Sequence, residues 1–363
     1  MPKFAAKDLE EYAIAVFQAA GSSPHEARIV AQHLIDANLA GHDSHGVLRI
    51  PQYLNAVKAG RVNVNARPKI ISETASTASV DGQDGFGQVT ANECMALGIA
   101  KAKAAGISAV TFCNAYHSGR IASYTKLAAA EGFISIVVVN AGGGGQSVAP
   151  FGGLGRRLAT NPLSIAAPSG NGFPIVLDIA TSVAPEGKIR DHFQQRKPVP
   201  SGWIIDGKGK PTTNAADFYE ASGALLPLGG SAGYKGFGLG FMIDILAGAL
   251  SGAGCCRLDA PEPQDGLFII VIDIERFIPL ERFASHVEQL VEHVKSSPTA
   301  PGFDRVFVPG EVEFEEEKKR RRDGIMVDGR TWDEIKEAAA SVDCFHRPLE
   351  RGAEPEASLQ KVV

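Results

Sequence analysis

Aromatic residues make up only 7% of this 363-residue chain, and its cysteines, Cys94, Cys113, Cys255, Cys256 and Cys344, are odd in number and irregularly spaced. That argues against a disulfide framework and against a paired-cysteine zinc site. There is no basic surplus: the net charge of −5 leaves no electrostatic footprint for nucleic acid. The first residues hold no apolar signal core, so the expected compartment is the cytoplasm. One apolar stretch, Gly236 to Gly254, is long enough to cross a bilayer, but it carries Asp244 and is dotted with glycine. A buried helix is expected there, and no membrane association.

Nucleotide fingerprints are missing as well. No Gly-x-Gly-x-x-Gly opens a helix; Gly236-Phe237-Gly238-Leu239-Gly240 has the wrong spacing. Gly187-Lys188 and Gly207-Lys208 are not followed by Ser or Thr, which excludes a Walker loop. What the chain does have is glycine, 40 residues of it, with 44% hydrophobic residues, the composition of a soluble protein with many tight turns.

The first seventy residues read as helices. An amphipathic run from Lys7 ends at Gly21, and Ser23-Pro24-His25-Glu26 offers an N-cap, a first-turn proline and a capping-box glutamate for a helix reaching Ala40. A polar loop, Gly41 to Gly46, precedes a short helix from Arg49 to Lys58. From Ala78 onward strands and helices alternate: strands at Ala78–Asp81, Ile107–Cys113 and Phe133–Asn140, helices at Thr90–Ala105 and Ile121–Glu131 closed by Gly106 and Gly132. This is the pattern of an α/β layered fold. Further strands are expected at Ser164–Ala167, Ile175–Ile179 and Leu267–Ile274, and helices at Glu281–Lys295 and Glu315–Arg322. The tail from Arg347 is expected to be poorly ordered.

Four groups of residues could carry chemistry. Ser44-His45 with Arg49 combines an imidazole, a hydroxyl that can orient it and a guanidinium fork for a carboxylate. His42 and His45 lack a third ligand at a convincing spacing, so no metal is expected. His117 follows a strand, flanked by Asn114, Ser118 and Arg120, where α/β folds gather ligand groups; capping the next helix is the plainer role. Asp178 leaves a strand ahead of Gly187-Lys188-Ile189, a pattern that turn chemistry also explains. Lys235-Gly236 could hold a phosphate, although helix packing selects small residues too.

In combination and in order, these segments resemble the malate/L-lactate dehydrogenase family that lacks a Rossmann fold. That family also includes sulfolactate, ureidoglycolate and diketogulonate dehydrogenases or reductases and cyclic imino acid reductases. The matching segments are Asp43 to Pro51, Tyr116 to Gly119, Pro150 to Gly153, Thr160 to Leu163, Leu177 to Ser182, Gly187 to Ile189, Lys235 to Leu239 and Pro309 to Glu311. The resemblance implies a non-Rossmann mixed seven-stranded sheet domain for the cofactor, a helical N-terminal region and a smaller α/β domain. The expected boundaries are residues 1–75 packed with 311–345, 76–120 with 265–310, 121–264, and the tail 346–363.

It further implies a homodimer that uses NAD or NADP to interconvert a 2-oxo acid and a 2-hydroxy acid. By analogy Ser44 and His45 belong to the proton-transfer site, His117 matches a second histidine to which proton transfer is assigned in some members, and Arg49 holds the substrate carboxylate. Ser118 and Gly119 flank the substrate. Asn140, Asn161, Asp178, Ile179, Ala180, Lys235, Gly236, Pro309, Gly310 and Glu311 match cofactor-contacting positions. Two positions carry particular information. Tyr234 stands where the family often has His, and Lys188 is the residue of hydroxy-acid members, whereas imine reductases tend to carry an acid. Lys188 therefore favours a carbonyl substrate and would stabilise its oxygen. A 2′-phosphate would call on Arg156, Arg157 or Arg190. The competing readings are a cyclic imino acid reductase, a metal-dependent hydrolase built on His42, Asp43 and His45, and a cofactor-binding protein without catalysis.

Overall fold

The computed structural model describes residues 1–260 and 264–345, so the expectation for the tail 346–363 lies outside the described residues. In chain order the structure begins with β1 (Lys3–Phe4), α1 (Ala6–Ala19), α2 (Pro24–Leu39), α3 (Ile50–Lys58), β2 (Lys69–Glu73), β3 (Thr77–Gly85), α4 (Gly87–Ala105) and β4 (Ile107–Ala115). It continues with α5 (Ala122–Ala130), β5 (Phe133–Asn140), β6 (Leu163–Ala167), β7 (Ile175–Ile179), α6 (Glu186–Gln194), β8 (Ile204–Ile205), β9 (Pro211–Thr212), α7 (Ala215–Glu220) and β10 (Ala224–Leu225). Then come α8 (Tyr234–Ile243), β11 (Asp265–Asp273), α9 (Leu280–Lys295), α10 (Glu311–Asp323), β12 (Ile325–Met326) and α11 (Gly329–Ala340). Two compact units emerge, Met1–Lys58 with the chain from Glu313 onward, and Ala59–Val312.

The first unit is helical because its apolar residues recur at helical spacing and its helix ends are capped. The Ser23 hydroxyl accepts the Glu26 amide at 3.3 Å with Pro24 in the first turn, and Asp328 accepts the Arg330 and Thr331 amides at the start of α11. Caps of this kind contribute about 1 kcal/mol each. Leu9, Tyr12, Val16 and Phe17 of α1 and Val30 and Leu34 of α2 are buried, as are Tyr53, Trp332 and Ile335. Trp332 packs on Phe4 with ring centroids 4.5 Å apart, beneath the antiparallel β1–β12 pair. Burial of such side chains stabilises by about 1.5–3 kcal/mol apiece, before the entropy of ordering them is set against it.

The second unit is organised on one seven-stranded mixed sheet of order β2-β3-β4-β11-β5-β6-β7. Only β3–β4 is parallel. The central strand β11 pairs antiparallel with β4 on one side and β5 on the other, and its nearly unbroken apolar run suits a strand covered on both faces. Val110, Phe112, Tyr124, Val137, Leu267, Ile269 and Val271 form the core between this sheet and α4 and α5. Gly106 at φ 88° and Gly132 at φ 87° turn the chain out of those helices in the left-handed conformation that glycine adopts without strain. A three-stranded sheet, β10-β8-β9, closes a smaller core of Ile189, Ile204, Phe218 and Leu225 with α6 and α7. The strands of the seven-stranded sheet come from three of the expected segments: β2 from 1–75, β3, β4 and β11 from 76–120 with 265–310, and β5, β6 and β7 from 121–264.

The structure corrects one expectation. The stretch Gly236 to Gly254 is not a buried helix: α8 continues into a π-helical turn, Asp244–Ala249, that buries one side only. Gly236, Gly240, Ile243, Asp244, Ala247 and Gly248 face inward, where small residues allow close approach. Phe241, Met242 and Leu250 remain 50%, 52% and 59% exposed. Strand β2 carries no burial alternation and is exposed throughout, which is why the sequence does not announce it.

Candidate functional site

Two groups of candidate residues have distinct scaffolds, one in each unit. In the first unit the loop after α2 tightens into two 3-10 turns, Asp43–His45 and Val47–Arg49. Ser44 Oγ lies 2.9 Å from His45 Nδ1, and Arg49 Nε donates to the Ser44 carbonyl at 2.7 Å while its Nη1 reaches Gln52 Oε1 at 2.6 Å. These bonds join the expected hydroxyl, imidazole and guanidinium into one rigid corner. A ring held at Nδ1 has a fixed orientation, a requirement for directed proton transfer.

Residues that the sequence reading passed over support that corner. Asn38 Oδ1 accepts the Val47 amide at 2.8 Å, and Asn38 Nδ2 donates to Asp43 at 2.5 Å. Arg320 grips both oxygens of Asp43, at 2.6 and 3.1 Å, and also bonds the Asn38 carbonyl and Glu316. The hydrogen bond from Arg320 holds the Glu316 carboxyl below its ordinary range, against the opposing effect of burial. His42 turns to Glu313 at 3.4 Å. Among the described residues no group of three or more His, Cys, Asp or Glu side chains converges as a metal site would require.

In the second unit, the loop after β4 carries His117. Ser118 is fully buried; its amide donates to Asp265 Oδ2 at 2.6 Å and its carbonyl accepts the Tyr124 hydroxyl. Gly87 lies so close that a Cβ there would fall 2.0 Å from the Tyr116 carbonyl oxygen. Gly119 sits at φ 73°, where the chain turns toward α5. Arg120 is buried with its Nε 3.7 Å from Asp178, whose carboxylate also accepts the Ala122 amide at 3.2 Å. Asp178 therefore ties β7 to the start of α5. Lys188 lies exposed on α6.

The remaining candidates in this unit separate into three environments. Asn140 and Asn161 are buried and aim their amide nitrogens at Asp244 at 3.3 Å each, with further bonds to the Gly254 and Gly240 carbonyls. Among the described residues neither of their Oδ1 atoms meets a donor. Asp244 also accepts the Cys256 amide at 2.8 Å, and burial followed by the Asp244 charge pushes the Cys256 thiol up to about 12, which leaves it unreactive.

The edge strand β7 forms the second environment. Val176 donates outward to the Pro309 carbonyl at 3.2 Å, and Gly310, at φ 86°, packs where a Cβ would meet the Val176 amide at 3.0 Å. Alternate peptide groups of a strand point the same way, so those of Asp178 and Ala180 also face this edge, with Ile179 turned to β6. Glu311 receives Lys295 at 2.5 Å and the Val308 amide at 3.1 Å, which hold its carboxyl below the ordinary range although burial opposes this.

Third, Lys235 is exposed in the first turn of α8, and Gly236 allows that turn to close on Leu228, whose carbonyl would lie 2.3 Å from a Cβ. Tyr234 packs edge-on against Phe151. Of the three arginines considered for a 2′-phosphate, Arg156 is engaged with the Gly223 and Phe218 carbonyls and the Phe218 ring, and Arg190 pairs with Glu186. Arg157 bonds the Arg156 carbonyl at 2.8 Å.

Residues 4–336 match the family described as malate/L-lactate dehydrogenase. The chain is 39% identical over 342 residues to malate dehydrogenase of Pyrococcus horikoshii, covering 92% of this chain and 94% of that one. It is 39% identical over 346 residues to hydroxycarboxylate dehydrogenase B of Escherichia coli K12, covering 94% of each. The crystal structure of malate dehydrogenase from Entamoeba histolytica superposes with a TM-score of 0.88 at 32% identity, over 96% of this chain and 99% of that one. With nearly its whole length matched, the chain belongs to the malate/L-lactate dehydrogenase family.

Proposed function

We propose that the protein is an NAD- or NADP-dependent dehydrogenase that interconverts a 2-oxo acid and a 2-hydroxy acid. The observation that carries this reading is the Ser44–His45–Arg49 corner, in which 2.9 and 2.7 Å contacts hold an imidazole beside a guanidinium. The donor chemistry of the second unit suits a dinucleotide. Lys235 and the amides of the first turn of α8 match a pyrophosphate, and the outward peptide groups of Asp178 and Ala180 match a planar carboxamide. When bound, the nicotinamide supplies the hydride.

The chain's own residues do the rest. Arg49 binds the substrate carboxylate through its planar fork and so orients the 2-carbonyl carbon. Lys188 stabilises the negative charge that grows on the carbonyl oxygen. An imidazolium at His45 or His117 donates the proton that converts this oxygen to a hydroxyl, and in the reverse direction the same ring accepts it. Ser44 fixes the His45 ring, and Ser118 and Gly119 shape the His117 loop. A Lys at position 188 supports a carbonyl over a cyclic imine as substrate.

A homodimer in the cytoplasm completes the reading. The apolar face of Phe241, Met242, Ile245 and Leu250 is the kind of surface that a second copy covers. No described helix is long and apolar enough to cross a membrane. The direct test is oxidation of NADH and NADPH with a panel of 2-oxo acids and cyclic imino acids; turnover confined to imines would reverse the assignment of Lys188.

A further inference from the structure

Asp265 is a buried carboxylate with no part in the mechanism above. It is the first residue of β11, a strand already paired on both sides, so the sheet does not require its side chain. Opposite Ala115 the register with β4 shifts between Asp265 and Leu267, an irregularity of the kind that re-aims a side chain. Asp265 Oδ2 then accepts the Ser118 amide at 2.6 Å, while Tyr124 of α5 bonds the Ser118 carbonyl from the same residue's other end. With Gly87 of α4 closed against the Tyr116 carbonyl, the His117 backbone is held by three elements.

A carboxylate is a costly way to anchor a single residue. Burial pushes Asp265 up to about 6, with the Ser118 hydrogen bonds working against that rise. The titratable and charged groups on the elements packed around it include Tyr116, His117 and the buried Arg120 of the loop, Arg120's partner Asp178 of β7, Tyr124 of α5 and, through its bond with the adjacent Gln264, Asp84 of β3. An asparagine would accept the same bond without the burden of a buried charge. What the ionised form adds is strength, because a charge-assisted hydrogen bond is shorter and stiffer than a neutral one.

We propose that Asp265 is a positioning residue whose carboxylate, by clamping the Ser118 amide, fixes the His117 imidazole for proton transfer. The proposal rests on the reading that His117 takes part in the reaction. Asp265→Asn in the full-length protein tests it, with hydrogen exchange of the peptide spanning residues 114–121 and steady-state kinetics followed from pH 5 to 8. Exchange of the wild-type peptide, corrected for intrinsic rate, is expected to quicken below pH 6. In Asp265→Asn it should be fast at every pH. The variant's kcat should fall about tenfold at neutral pH with KM for the nicotinamide cofactor unchanged, and the acid limb near pH 6 should flatten. Tyr124→Phe, which releases the other end of Ser118, should act in the same direction more weakly.

An Asp265→Asn protein with wild-type exchange, or with faster exchange but wild-type kcat and acid limb, overturns the proposal. His117→Ala separates it from the reading beneath it. If that variant turns over at the wild-type rate, the role of His117 fails and the purpose given to Asp265 fails with it. If His117→Ala is slow and Asp265→Asn is not, Asp265 alone is refuted.

Discussion

A Cβ on Gly46 would lie 2.2 Å from Asn38 Oδ1, the atom that accepts the Val47 amide at 2.8 Å. The glycine is needed there for space, because its φ of −89° is open to any residue. The chain can fold back over the end of α2 only if position 46 has no side chain. Gly46→Ala should therefore displace Asn38 or the 3-10 turns and destabilise the protein by about 1–3 kcal/mol, as overpacked sites do. Thermal unfolding monitored alongside kcat/KM would register both effects; an unchanged melting temperature would show that Asn38 moves aside at no cost.

Arg49 offers a second check. Arg49→Lys keeps the charge but loses the fork and the Nε bond to the Ser44 carbonyl. KM for the oxo acid should rise about tenfold or more, with KM for the cofactor unchanged. A proportional loss in kcat alone would instead place Arg49 outside substrate binding.

The pH dependence of stability carries two opposite signatures. Glu311 has its carboxyl lowered in the folded state, so its contribution is present above the ordinary glutamate range and fades as pH falls through the folded value. Glu311→Gln should thus weaken the protein at neutral pH and converge with wild type in acid, read by denaturant unfolding at a series of pH values.

Asp265 behaves in the reverse sense. Its folded value of about 6 lies above the ordinary 3.8, so the folded state holds the proton more tightly and ionisation above pH 6 costs stability. On going from pH 4 to pH 8, the stability of Asp265→Asn should gain up to ~3 kcal/mol relative to wild type. A pH-independent difference between the two proteins would mean that Asp265 titrates normally.

The apolar face on α8 gives a prediction about assembly. A chain of 38.2 kDa should elute and scatter light at twice that mass, and Phe241→Glu with Met242→Arg should shift it toward the monomer. A monomeric wild-type protein would remove the dimer from the account.

Much of the fold was legible because its signals are local. The predicted limits of Phe133–Asn140 and Ile175–Ile179 coincide with β5 and β7, and Ser23, Gly106 and Gly132 mark helix ends as their capping chemistry requires. What was not legible depends on distant partners. Arg320 lies in a charged run that reads as a solvated helix face, and only the folded chain brings it to Asp43. Asp265 sits at the edge of an apolar run with no nearby signal of its bond to Ser118. Gly236 to Gly254 reads as buried from its composition, but burial depends on what covers the outer face, and in this chain nothing described does. The candidate residues were named from motif order; their scaffolds, Asn38, Arg320, Asp244 and Tyr124, came from the structure.

The most direct measurement is absorbance-monitored oxidation of NADH and NADPH at neutral pH with oxaloacetate-like, pyruvate-like and cyclic imino acid substrates, for wild type, His45→Ala and His117→Ala. Turnover of a 2-oxo acid by wild type, reduced more than about tenfold in at least one histidine variant, is the expected result. Cofactor binding without turnover of any 2-oxo acid, or full activity in both variants, would contradict the proposed chemistry.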